Sequence, residues 1–87
     1  MSKKKTTEEI LAGWDAFERP TDGATYRHYK GYLCTIVATG FLEDTEYPCV
    51  VYRSVEKKMV WVRTAKNFLE EIEYNGVKQP RFVPLED

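Results

Sequence analysis

The chain has 87 residues, a formal net charge of −1 and 14% aromatic residues. That length holds one domain, and a domain of this size has a small core that must lean on its aromatics, two Trp, six Tyr and four Phe. A balance this close to neutral supplies no field that would draw in nucleic acid, so a nucleic-acid partner is not expected.

Residues 1–5 form a basic end around Lys3, Lys4 and Lys5, expected to be disordered. A helix is predicted over 6–19. Thr6 is a suitable N-cap with Glu9 three residues on, the spacing of a capping box. Ile10, Leu11, Trp14 and Phe17 give that helix an apolar stripe. The stripe either covers the core or forms a contact with a protein partner or a second copy. Arg19-Pro20-Thr21-Asp22-Gly23 then ends the helix in a turn.

From residue 23 to 87 the pattern is that of strands. They are predicted over 25–30, 32–39, 49–54, 59–63 and 79–83, with Gly31 breaking the first pair. The third and fourth read as a hairpin across Glu56-Lys57-Lys58. Gly40 to Pro48 is an acidic loop carrying Glu43, Asp44 and Glu46, without the glycine and ligand rhythm of a calcium loop. Ala65 to Glu71 reads as one or two helical turns, and Asn75-Gly76 is a strong hairpin-turn signal. Pro80 and Pro84 confine the last strand to an edge. The expected class is therefore mainly β: a small SH3-like five-stranded barrel with an N-terminal helix and a short late helical turn. An open antiparallel sheet covered by the N-terminal helix is the alternative.

Several chemistries lack their residues. Cys34 and Cys49 with one histidine cannot fill a zinc site, and both cysteines lie in apolar strand contexts that favour buried free thiols. There is no glycine-rich phosphate loop, and no cofactor or metal is expected. No apolar run reaches the length of a membrane span, and the basic start leads into Thr and Glu rather than a signal-peptide core, so no membrane association and a cytoplasmic address are expected.

Four segments in order carry a likeness. They are Tyr26-Arg27-His28-Tyr29-Lys30-Gly31; Val50-Val51-Tyr52; Trp61-Val62-Arg63 followed by Phe68 and Glu70; and Gly76 with Pro80-Arg81-Phe82. Over about residues 23–83 the chain resembles domain of unknown function 1653. The resemblance implies a short bacterial or phage protein of a kind sometimes attached to larger enzymes, and implies no activity. Where that pattern has His-Ser-Glu-Thr before Val50, this chain has Leu42-Glu43-Asp44-Thr45. Its hairpin glycine is replaced within Glu56-Lys57-Lys58, and its proline after Arg63 is Thr64. A function that used the loop histidine is thereby put in doubt.

The candidate site residues are Arg27, His28, Tyr29, Lys30, Tyr52, Trp61, Arg63 and Arg81. Each arginine stands within two residues of an aromatic in a matched segment, and a guanidinium grips carboxylate or phosphate while stacking on rings. Converging at a barrel rim, these residues would hold an anionic ring compound such as a nucleotide or nucleotide-derived signal. The blander expectation is local pairing, for example Arg81 with Glu70 or Glu71. His28 lacks a sequence partner for acid–base work, so a structural role is favoured over hydrolysis. The residues favour a non-enzymatic binding module, with docking on a larger enzyme or self-association as the alternative.

Overall fold

The computed structural model describes residues 5–85. The expected basic end lies outside the described residues except for Lys5, which is exposed. Thr6 caps the first helix as its sequence requires. Its N–H donates to Glu9 Oε1 at 2.8 Å, and its Oγ1 accepts from the Glu9 N–H at 3.1 Å. The helix itself is shorter than expected. α1 covers Thr7–Leu11 and then tightens into a 3₁₀ helix over Ala12–Ala16. Gly13 falls at that change, where a helix interior is weakened by the missing side chain. It also lies so close to Pro48 that a Cβ there would sit 3.1 Å from the proline ring.

The apolar stripe divides accordingly. Trp14 is buried, donates its Nε1–H to the Gly40 carbonyl at 3.2 Å, and packs edge-on to Phe17. Ile10 is half-buried, whereas Leu11 is 54% exposed. Arg19 staples the segment down, stacking over Trp14 and donating to Thr39 Oγ1 at 2.7 Å.

The rest of the chain is β with one short helix: β1 (Thr25–His28), β2 (Leu33–Phe41), β3 (Pro48–Ser54), β4 (Val60–Thr64), α2 (Ala65–Leu69), β5 (Glu71–Tyr74), β6 (Val77–Pro80) and β7 (Phe82–Pro84). Five strands form an antiparallel sheet in the order β4-β3-β2-β1-β7, while β5 and β6 pair with each other alone. The expected five-stranded SH3-like barrel does not close among the described residues. β4 and β7 remain as two edges, so the sheet is open, as in the alternative arrangement.

Two further details differ from expectation in the strands after α2. The one or two helical turns expected within Ala65 to Glu71 form as α2, which stops at Leu69, and Glu71 begins a strand. The stretch read as one strand, 79–83, is broken at Arg81 between β6 and β7. An extra hairpin is thus inserted before the last strand. Its turn is the Asn75-Gly76 pair, with φ of 54° and 74°. Two consecutive positive values suit the right-handed twist of a hairpin. Gly76→Ala should therefore destabilise the protein by about 1 kcal/mol, read as a lower urea midpoint; an unchanged midpoint would mean the hairpin contributes nothing to folding.

The core lies on one face of the sheet. It gathers Tyr26, Cys34, Ile36, Val50, Tyr52 and Phe82 from strands, Ala65 and Phe68 from α2, and Trp14 from the N-terminal segment. Tyr26 and His28 point into it and Arg27 points away, as strand alternation demands. Phe68 is fully buried and stacks on Phe82 at 4.0 Å between ring centroids. Cys34 and Cys49 are buried free thiols. Burial pushes the Cys34 thiol up to about 11, so it stays protonated at ordinary pH.

Candidate functional site

The hairpin register sets the centre of the site. Tyr52 on β3 stands directly across from Trp61 on β4, and Arg63 lies two residues further along the same face. This face carries the core, but at the β4 edge the core runs out. The side chains there line a cleft of about 430 Å³ bounded by Tyr32, Tyr52, Ser54, Glu56, Lys57, Trp61 and Arg63.

Arg63 is half-buried and held in place. Its Nε–H donates to Tyr52 Oη at 2.8 Å, and a terminal nitrogen donates to Asn67 Oδ1. Its guanidinium carbon sits 5.5 Å from the Phe82 ring centroid. Asn67 is available because Thr64 caps α2, accepting the Asn67 N–H on Oγ1 at 3.1 Å. The guanidinium makes no ion pair with a carboxylate among the described residues; the ion pairs there are Lys78 with Glu71 and Arg81 with Glu70.

Arg81 is committed elsewhere. Its Nε–H donates to the Asn67 carbonyl at 2.9 Å, and it pairs with Glu70 Oε2 at 3.0 Å. It clasps α2 to the chain between β6 and β7, which is the local pairing expected from the sequence. Arg27 is exposed on the opposite face of the sheet, beside Leu33 and Val83. Lys30 lies in the exposed turn after β1, with its ammonium 5.8 Å from the Tyr29 ring centroid. Tyr29 packs edge-on to Tyr74.

His28 stands behind one wall of the cleft and is not part of its lining. Its ring is 4% exposed and stacks on Tyr32 at 4.2 Å with 12° between planes. Tyr29 and Phe82 close on it at 4.3 Å and 5.0 Å. Nδ1 accepts the Lys30 N–H at 3.2 Å. Burial, then the charges of Arg63, Lys30 and Arg81, push its pKa down to about 4. The imidazole is thus neutral at ordinary pH and serves as a stacked aromatic under Tyr32.

Of the eight sequence candidates, the fold brings Tyr52, Trp61 and Arg63 into one cleft. His28 supports it from behind, Tyr29, Lys30 and Arg81 lie around that support, and Arg27 is on the other face. Tyr32, Ser54, Glu56 and Lys57 line the cleft without having been singled out. A signal for Tyr32 existed: a tight turn at Gly31 pairs residue 32 with residue 28, and the His28 N–H indeed donates to the Tyr32 carbonyl at 2.8 Å. The acidic loop holds a turn, with the Glu46 N–H donating to the Leu42 carbonyl at 2.7 Å. Among the described residues no group of three or more His, Cys, Asp or Glu side chains is placed to hold a metal. No helix of the described residues is long and apolar enough to cross a membrane.

No curated protein and no solved structure matched the chain. Residues 24–84, which include every residue lining the cleft, match the family described as "Protein of unknown function (DUF1653)", and the chain belongs to that family.

Proposed function

We propose that the cleft binds a small anionic ligand with a planar ring, a nucleotide or nucleotide-derived signal being the class that suits it best. The observation that carries this reading is Arg63. A half-buried cation with no carboxylate partner among the described residues is costly, and an anion arriving from solvent would offset that cost. The guanidinium is already oriented by Tyr52 and Asn67, so little side-chain freedom remains to be lost on binding.

Other features agree with it. Trp61, 44% exposed, and Tyr32 offer ring faces at the cleft wall. Lys57 adds a second cation at the hairpin end, and Glu56 beside it would disfavour the most highly charged ligands. His28 behind the wall is depressed first by burial and then by the charges of Arg63, Lys30 and Arg81. The volume lies within the usual range for small-molecule sites, about 300–1,000 Å³.

Thermal shift and calorimetry with nucleotides, the matching nucleosides and inorganic phosphate test the proposal. A nucleotide should raise the melting temperature of the wild type, whereas its nucleoside should do so weakly. Arg63→Gln should weaken nucleotide binding by about tenfold or more, the worth of one charge-assisted hydrogen bond. Fluorescence of Trp61 should be quenched in parallel, since the other tryptophan, Trp14, is buried. If no nucleotide shifts the wild type, or if Arg63→Gln binds as tightly, the cleft is not the site.

A further inference from the structure

The two edges of the main sheet are built differently. β7 is three residues long, and Pro84 removes an N–H from it. Short length and proline are the usual means of keeping an edge from pairing. β4 is five residues long with no proline and no bulge, and its register with β3 is unbroken. Val60, Trp61 and Val62 are 51%, 44% and 53% exposed.

Its outward backbone groups follow from the ladder. The Ser54 N–H donates to the Met59 carbonyl at 2.8 Å, so Ser54 and Met59 are a hydrogen-bonded pair. Hydrogen-bonded and non-bonded pairs alternate in an antiparallel ladder. Trp61 and Arg63 therefore direct their N–H and C=O groups toward β3, while Val60 and Val62 direct both of theirs outward and Thr64 its N–H, its carbonyl starting α2 as the N-cap.

We propose that β4 is a self-pairing edge: a second copy of this chain joins antiparallel along it about a two-fold axis at Val62, making one sheet continuous through both copies. Self-complementarity identifies the occupant. In this register Val62 faces Val62 of the second copy, Val60 faces Thr64 and Trp61 faces Arg63. The outward-directed residues meet one another, which hydrogen bonding requires. Paired β-branched side chains and a ring beside a guanidinium are favourable cross-strand neighbours. A shift that centres the axis on Arg63 would set two cations face to face. A shift to Trp61 would leave Arg63 opposite Met59 and Thr64 without a partner in β4. With β7 blunted, assembly ends at two copies. The pairing also sets the two clefts side by side on one sheet face, with Trp61 of each next to Arg63 of the other.

Sedimentation of the full chain from micromolar to millimolar concentration, with amide exchange read residue by residue, tests this. The wild type should become a dimer as concentration rises, and the amides of Val60 and Val62 should gain protection in step. Val62→Lys places two ammonium groups against each other and should leave a monomer over the same range. Val62→Pro removes an outward N–H and none of the β3–β4 ladder, and should do likewise, while circular dichroism checks that each variant keeps its fold. A wild type that stays monomeric overturns the proposal, even if another protein occupies the edge. So does a dimer that both variants retain, or one whose new protection lies away from β4. The ligand experiments with Arg63→Gln on monomeric Val62→Lys keep the two readings separate.

Discussion

Phe68→Ala is expected to cost about 3–5 kcal/mol, the largest effect of any single substitution considered for this chain. Phe68 is fully buried on a helix of five residues. It stacks on Phe82 at 4.0 Å and meets Tyr26 and Tyr52 at 5.3 Å and 5.4 Å. These rings come from β1, β3 and β7, so one side chain ties α2 to much of the sheet. Domains in general have only about 5–15 kcal/mol of stability, and small ones sit low in that range. The variant should therefore lose most of its margin. Urea unfolding followed by circular dichroism should show a much lower midpoint, with a similar slope if the variant still folds as one unit. A loss of less than about 1 kcal/mol would mean that the surrounding rings collapse into the space, contrary to their tight packing. The same change should loosen the cleft, because Asn67 beside it holds the Arg63 guanidinium and accepts Arg81 on its carbonyl.

The fold was legible wherever a local rule had no competitor. Thr6 and Glu9 specified the start of α1, and Asn75-Gly76 specified a hairpin. The departures from expectation, the strand β5 and the break of 79–83 into β6 and β7, both lie in the segment after α2. The apolar spacing of Phe68, Leu69 and Ile72 fits a helix as well as a helix end followed by a strand, and periodicity does not separate the two over so short a run. Barrel closure was not legible at all, since it depends on whether β4 and β7 meet. For the site, Tyr52, Trp61 and Arg63 could be grouped because a hairpin brings its two strands together. The charges pointed to a pairing of Arg81 with Glu70 or Glu71, and Glu70 is the partner. The role of Asn67 was not legible, because it depends on how α2 lies against β4, and no sequence spacing encodes that. Tyr32 was missed for a different reason: the Gly31 turn was read as a break between strands rather than as the device that stacks Tyr32 on His28.

His28 should make the protein less stable in mild acid. Its folded pKa is held near 4, against an ordinary value of 6.5. Above that ordinary value both folded and unfolded chains carry a neutral ring, and the full stability is present. As pH falls from 6.5 toward 4, the unfolded chain takes up a proton that the folded chain refuses, so stability is lost. Below the folded value both are protonated and this residue adds no further change. Allowing for solvent near the ring, the loss is on the order of 2–3 kcal/mol. Geometry supplies the reason. Nδ1 accepts the Lys30 N–H, and a protonated ring would oppose donor to donor there, stacked on Tyr32, tilted against Tyr29 and near three cations. His28→Phe keeps an aromatic ring and removes the titration. Urea midpoints of wild type and variant, compared between neutral pH and pH near the folded pKa, cancel the carboxylates common to both. The wild type should lose more stability than the variant over that interval; equal losses would sink the argument. Magnetic resonance of the imidazole should show a midpoint near 4, and a native protein titrating near 6.5 would sink it directly. The same titration reports on the cleft. Arg63 is the largest of the charges that depress His28, so an anion seated on Arg63 should raise the midpoint. Burial, the first cause, would still hold it below the ordinary value.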